Sequence, residues 1–278
     1  LAVATVVAST VLAAMVGVIG AAVVTMALVA LPSMLRRGYS PVLAVGTVMA
    51  GGALGILIPP SVLAIVYGLV ANQSVGELYL GSVFPGLVLS GLYILFSVGY
   101  ALLNPKAAPR LSPEETPTWS ERWRALRSIW SPLVLIFLVL GTIFLGLAAP
   151  TEAAAIGAFG AMVVAAIHRR LSWTILRLAL EQTAKATAMV MWIVFGANAF
   201  VGFYIAQGGD RYVSELLLGT GLSPWGILLL MQGILIVLGM FLDWVGILLL
   251  AVPVFVPIIR DLGFDPLWFG VLYLVNMQ

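Results

Sequence analysis

Residues 51–61 read GGALGILIPPS, and these residue types expose backbone oxygen and nitrogen where a helix would hide them. Pro59 and Pro60 lack the backbone N–H, and each ring clashes with the carbonyl four residues earlier. Gly51, Gly52 and Gly55 let the chain turn sharply and approach a ligand closely. No charged residue occurs from Pro41 to Gly76, so the break falls within a membrane-type run. Unpaired backbone groups in hydrocarbon cost several kcal/mol each and are tolerated only inside protein or along a cavity. The chemistry expected is coordination of an ion or a substrate oxygen by unwound backbone, with Pro59, Pro60 and Ser61 on the path. A second group centres on Asp243, the only charge between Trp225 and Ile259. A carboxylate at that depth costs about 2.5–3.5 kcal/mol and needs a cation, a partner or a cavity; capping helix N-termini is the competing role. Gly246 lies just beyond it.

Gly17 and Gly20 offer backbone carbonyls to the same ion as Gly51 and Gly52, although small residues also serve close helix packing. Asn276 and Asn198 are polar residues in apolar surroundings and candidates to line a path. Glu152, in PTEAAA, sits at a helix start, where a carboxylate suits the positive dipole end. His168 adjoins Arg169 and Arg170 and has no partners for a metal cluster. Several chemistries are excluded. Without cysteine there are no disulfides or thiolate metal sites. An aspartyl protease needs two carboxylates sharing a site, and only Asp243 is deep. No Gly-Lys-Ser/Thr follows the glycines, so no phosphate loop is present. Nothing points to nucleic acid, an enzyme activity or a resident cofactor.

The elements that position these residues follow from composition. The 278 residues are 62% hydrophobic and 9% charged, with mean hydropathy +1.15, against about 25% charged for soluble domains. An all-α polytopic membrane protein is expected. Residues 1–35 carry no charge; as one helix they would span ~52 Å against a hydrocarbon core of ~30 Å. A re-entrant hairpin turning near Gly17 and Gly20 fits better. Further runs cover 42–70, 80–103, 128–149, 152–167 and 186–206. Residues 225–259 form a second 35-residue run interrupted only by Asp243. Residues 104–127 and 171–185 read as a linker and interfacial arms with Trp anchors.

If both long runs are hairpins, Arg36, Arg37, Lys106, Arg110, Arg122, Arg124, Arg127, Arg169, Arg170, Arg177 and Lys185 fall on one side. Only Arg211 and Arg260 fall on the other. This 11-to-2 split of the Lys and Arg residues marks the first side as cytoplasmic. The hairpins are also related. A shift of 225 residues lays Met15, Pro32, Gly38, Tyr39 and Pro41 on Met240, Pro257, Gly263, Phe264 and Pro266 without a gap. The copies face opposite sides by the charge rule, giving inverted repeats with broken helices and a midplane site, the plan of secondary transporters. The expected division is a first-repeat part at 1–103, a cytoplasmic linker and arm at 104–127, and a second repeat with scaffold helices at 128–278.

Four stretches carry a family resemblance: GAAVVTMALVALPSMLRRGYSP, GGALGILIPPSVLAIVYG, PTEAAAIGAFGA and FLDWVGILLLAVPVFVPIIRDLGFDPLWFGVLYLVN. In this order they resemble the large membrane subunit of the TRAP (tripartite ATP-independent periplasmic) transporters. The resemblance implies a sodium-coupled importer of organic acids in the bacterial inner membrane, with sodium as coupling ion. It also implies a small membrane subunit and a soluble periplasmic substrate-binding protein as partners, and an elevator-type motion. A carrier of the same superfamily working without a binding protein is the alternative. The family subunit has helices before residue 1 and a second broken helix after Asn276, so a partial chain is expected. Sodium is expected on Gly17, Gly20, Gly51, Gly52 and Gly55, with a second site near Asp243 and Gly246. No deep Arg marks a carboxylate clamp, so the substrate is not readable.

Overall fold

In a computed structural model, the structure describes residues 1–17, 19–109 and 118–278, without the side chains of 122, 124–129, 210 and 218. Arg110 and the side chains of Arg122, Arg124 and Arg127, which entered the charge count, lie outside the described residues. Among the described residues all regular structure is helical. Among the described residues, five helices are long and apolar enough to cross a membrane: Ile19–Arg36, Val75–Leu103, Pro150–Ile167, Trp173–Ala206 and Trp244–Asp261.

Two compact units divide the chain: Leu1–Val62 with Ser82–Arg169, and Leu63–Gly81 with Arg170–Gln278. Their boundaries differ from the expected segments 1–103 and 128–278.

In the first unit the opening run folds as α1 (Ala2–Val16) and α2 (Ile19–Arg36). Thr5 near the start of α1 donates to Met34 Sδ near the end of α2, at 3.5 Å. The arms are therefore antiparallel, and the run is a hairpin turning at Gly17. Gly20 lies inside α2 and takes no part in the turn. α3 (Pro41–Ala53) packs on both arms and starts on a Ser-Pro pair, with Ser40 Oγ accepting from Leu43 N–H at 3.3 Å. The long α5 (Val75–Leu103) lies in this unit from Ser82 onward, and Ser90 bonds Thr10 of α1 at 2.8 Å. α6 (Trp119–Phe144) and α7 (Pro150–Ile167) pair through small residues, Gly160 lying under Leu135.

In the second unit the run 225–259 folds as α10 (Pro224–Gly239) and α11 (Trp244–Asp261), separated by residues 240–243. α11 is the central element, burying Val245, Ile247, Leu248, Leu249 and Phe255 among others. Around it lie α8 (Trp173–Ala206), α9 (Gly209–Leu218) and α12 (Pro266–Asn276). α4 (Val62–Ala71) enters this unit from Leu63, where Tyr67 donates to Pro266 O at 2.7 Å and its ring lies 5.8 Å from Tyr273. Arg260 reaches Ala71 O, at the C-terminal end of α4, where a cation suits the dipole.

The 225-residue offset holds in local backbone, bond for bond. Gly38 and Gly263 both take left-handed φ, +76° and +81°. Gly38 N–H donates to Leu35 O and Tyr39 N–H to Met34 O, at 3.0 and 3.1 Å. Gly263 N–H donates to Arg260 O and Phe264 N–H to Ile259 O, both at 3.0 Å. This pair of bonds closes a helix on glycine. Each copy then starts its next helix on a capped proline, Ser40-Pro41 and Asp265-Pro266.

The arm expected at 171–185 is not a separate element. It forms the first turns of α8, whose 34 residues span ~51 Å and exceed the ~30 Å core. Residues 179–192, ALEQTAKATAMVMW, contain neither Gly nor Pro, so nothing breaks the helix where charge gives way to apolar residues.

Candidate functional site

Residues 51–61 leave the helix as the glycines and prolines require. α3 ends at Ala53, a single 3-10 turn spans Leu54–Ile56, and Leu57–Ser61 is irregular until α4 resumes at Val62. The ladder can be followed carbonyl by carbonyl. Ile58 N–H still bonds Leu54 O at 2.9 Å. The next two donors would come from residues 59 and 60, but proline has none, so Gly55 O and Ile56 O lose their helical partners. Ser61 repairs one of these losses, its buried hydroxyl donating to Ile56 O. Gly55 O stays without an i+4 donor, and Gly55 is buried.

The hairpin tip meets this break. Gly17 ends α1 in the left-handed region, φ +65°, with its N–H on Ala13 O at 3.0 Å. A Cβ there would lie 2.5 Å from Pro60 O, and Gly17 O accepts from Val62 N–H at 3.4 Å. Gly17, Pro60 and Ser61 are thus brought together, with Pro59 buried beside them. Gly20 is not part of the cluster; it is exposed in α2, and a Cβ on it would meet nothing within 4 Å.

Gly51 and Gly52 are buried for another reason. A Cβ at Gly51 would lie 2.6 Å from Ser9 Cβ of α1, and one at Gly52 2.5 Å from Val23 Cγ2 of α2. These α-carbon faces are the seats on which the two hairpin arms rest. Ser9 was not apparent from sequence: its hydroxyl is fully buried with no hydrogen-bond partner among the described residues, but one serine among many small residues carries no periodic signal.

In the second unit Asp243 is exposed at the hairpin turn and caps α11, its Oδ2 accepting from Val245 N–H at 3.1 Å. Gly246 occupies the first turn of α11 with open space above its α-carbon. Asn198 lies exposed in α8. Asn276 closes α12 and donates to Gln232 of α10, at 3.1 Å to the backbone oxygen and 2.6 Å to Oε1. Gln232 was missed, although a signal existed: it and Asp243 are the only polar side chains from 225 to 259.

Glu152 and His168 both make local backbone contacts at helix ends. Glu152 Oε2 accepts from Ala149 N–H at 2.9 Å, closing the start of α7. His168 Nδ1 lies 2.8 Å from Val164 O of its own helix end. The donors gathered at Gly17 and Gly55–Ser61 are oxygens, the set a hard cation such as sodium favours. Among the described residues no group of three or more His, Cys, Asp or Glu could hold a metal.

A chain whose described residues form apolar helical spans, helical hairpins and an interrupted helix is a polytopic membrane protein. The chain belongs to the family described as "Tripartite ATP-independent periplasmic transporter, DctM component", which matches residues 1–278. It is 34% identical over 279 residues to the C4-dicarboxylate TRAP transporter large permease protein DctM of Pseudomonas aeruginosa, covering 100% of this chain and 64% of that one. It is 32% identical to the protein of the same name from Rhodobacter capsulatus, covering 98% and 64%. The ectoine/5-hydroxyectoine TRAP transporter large permease protein UehC of Ruegeria pomeroyi is 30% identical, with 98% and 63% covered. The chain thus spans 63–64% of the length of these curated relatives, less than two thirds.

Proposed function

We propose that the chain is part of the permease subunit of a sodium-coupled, binding-protein-dependent secondary transporter that imports organic acids across the bacterial inner membrane. The observation that carries this reading is the docking of the Gly17 tip on the break at Gly55–Ser61. That arrangement collects unwound carbonyls inside a membrane-type run, the usual means of binding a coupling ion in transporters with broken helices. Sodium sits on oxygens of Gly17 and Gly55–Pro60, while Gly51 and Gly52 serve by letting the hairpin arms close on α3. The charge of Asp243 supports a second ion near the other hairpin. Two of the three relatives are named for C4-dicarboxylates, which supports an acid as substrate; the third is named for ectoine and 5-hydroxyectoine, so the choice among acids is made outside the shared family pattern. The repeated Gly38 and Gly263 turns support an inverted repeat, and with it an elevator-type movement of hairpins and broken helices against scaffold helices. A small membrane subunit and a soluble periplasmic binding protein complete the system.

The test is uptake into proteoliposomes holding the permease and small subunit, with the binding protein loaded with a radiolabelled C4-dicarboxylate outside. An inward sodium gradient should drive accumulation and an equal potassium gradient should not. Equal accumulation with potassium, or full uptake without the binding protein, would refute the corresponding half of the reading.

A further inference from the structure

Within the first unit α3 and α5 leave a groove between them, away from the Gly17 tip. It holds about 480 Å³ and is lined by Val6 of α1, Val42, Gly46 and Ala50 of α3, and Leu89 and Phe96 of α5. Its wall is almost wholly apolar. The hydroxyl of Thr47, which also borders it, is turned to Leu43 O of its own helix at 2.6 Å. Val6 at the floor is fully buried, whereas Val42 and Phe96 at the edges are 79% and 66% exposed. A Cβ on Gly46 would meet nothing within 4 Å.

Hydrogen bonds mark the two ends of the groove. Ser40 N–H, at the start of α3, donates to Ala107 O just beyond α5 at 2.9 Å, and Tyr100 packs on the cluster of Tyr39 and Leu43. At the far end the hydroxyls of Thr10 in α1 and Ser90 in α5 lie 2.8 Å apart. Between these bonds the lining runs from Val42 to Ala50 and from Tyr100 to Leu89, ~12 and ~16 Å at the helical rise. Half of a ~30 Å hydrocarbon core is ~15 Å. The groove is as deep as one leaflet.

The end at Ser40 carries charge of one sign. Arg36 and Arg37 lie just before Ser40, and Lys106 adjoins Ala107. Neither 1–76 nor 78–113 contains an Asp or Glu. Among the described residues the one ion pair is Arg177 with Glu181, so none of these three cations is paired there.

We propose that the groove and these cations form a binding site for an anionic phospholipid. One acyl chain lies between α3 and α5, and the phosphate sits at Arg36, Arg37 and Lys106. The two halves of the lipid match the two halves of the site: hydrocarbon fills an apolar wall one leaflet deep, and a basic cluster at the membrane surface attracts a headgroup of net negative charge. The inference rests on the membrane placement of the chain and not on the ion or substrate carried.

The full-length permease with its small subunit is held in detergent micelles and titrated with dioleoyl phosphatidylglycerol or dioleoyl phosphatidylcholine. Bound lipid is counted by native mass spectrometry. Gly46→Leu directs a branched side chain into the groove and should lose one bound lipid per permease. Its unfolding midpoint without lipid should equal or exceed that of the wild type, since Leu is the better helix former. Arg37→Gln and Lys106→Gln leave the groove open and should each raise the half-saturating phosphatidylglycerol concentration roughly fivefold. The charge variants test the site whether or not Gly46→Leu folds. An unchanged lipid count in Gly46→Leu would overturn the groove as the binding site. A lowered midpoint of that variant without lipid would show a protein segment seated there, and would overturn it equally. Equal affinity of the wild type for the two lipids, or unchanged half-saturation in both charge variants, would overturn the headgroup contact.

Discussion

Gly17 and Gly20 are three residues apart and of one type, yet their environments predict opposite outcomes. A side chain at Gly17 must take a left-handed conformation, costing about 1–2 kcal/mol, and its Cβ would press on Pro60 O. Gly17→Ala should therefore lower stability by more than that amount and weaken sodium binding, whereas Gly20→Ala should fall within about 0.5 kcal/mol of the wild type. Chemical unfolding in detergent compares them, and equal losses would contradict the tip geometry. Asp243 separates similarly into two roles. Asn caps helices as well as Asp, while Ala forfeits about 1 kcal/mol. Asp243→Asn should keep stability and raise the sodium concentration for half-maximal uptake, and Asp243→Ala should lose both. If Asp243→Asn leaves sodium dependence unchanged, the cap at Val245 is the whole role of this carboxylate. Gly17, Pro60 and Ser61 were legible because a charge-free run too long for one helix must turn, and paired prolines must break. The seats of Gly51 on Ser9 and Gly52 on Val23 were not, because close approach between helices far apart in sequence leaves no local pattern.

Helix starts are written plainly in this chain, and helix joins are not. Ser40-Pro41, Ser223-Pro224 and Asp265-Pro266 each begin a helix where the capping side chain meets the first free N–H groups. The start of α6 carries a reciprocal cap: Glu121 Oε2 accepts from Thr118 N–H at 2.8 Å and from its hydroxyl at 2.9 Å. Those bonds hold the Glu121 carboxyl below its ordinary range, the backbone N–H first and the hydroxyl second. The sign follows from linkage: a depressed carboxylate stabilises the folded end fully above its ordinary pKa near 4.5 and loses that contribution as pH falls through the lowered value. Amide exchange at 118–121 should therefore be steady above that ordinary pKa, after correction for intrinsic rates, and accelerate as pH falls through the lowered value. Glu121→Gln should flatten that rise; an identical rise in the variant would show that the carboxylate is not its source. The joining of 173–185 to the following span escaped the sequence because a change from charged to apolar residues was read as a change of element. α9 escaped because its ten residues lie between the apolar runs 186–206 and 225–259 and belong to neither.

The sidedness of the chain rests on where Lys and Arg fall, and the absence of native cysteine makes it directly testable. Ser120→Cys should resist a membrane-impermeant thiol reagent added outside, and Ser223→Cys should react; the reverse pattern would invert the topology. The offset that relates the hairpins was legible from five matched residues, and the bonds at Gly38 and Gly263 explain why three of them, Gly38, Tyr39 and Pro41, recur: the turn closes one helix and starts the next. The unit boundaries at 62, 81 and 169 were not legible, since they fall within α4 and α5 and at a charged turn rather than at a compositional break. The central claim is that sodium binds where the first hairpin tip meets the broken helix. It is tested most directly by the reaction rate of Ile58→Cys with a small thiol reagent in the nanodisc-held permease, in sodium and then in potassium at equal ionic strength. Ser74→Cys, exposed in the turn between α4 and α5, serves as reference. Sodium should slow modification at 58 with a saturable dependence and leave 74 unchanged. Equal rates at 58 in sodium and potassium, up to concentrations that drive uptake, would contradict the account.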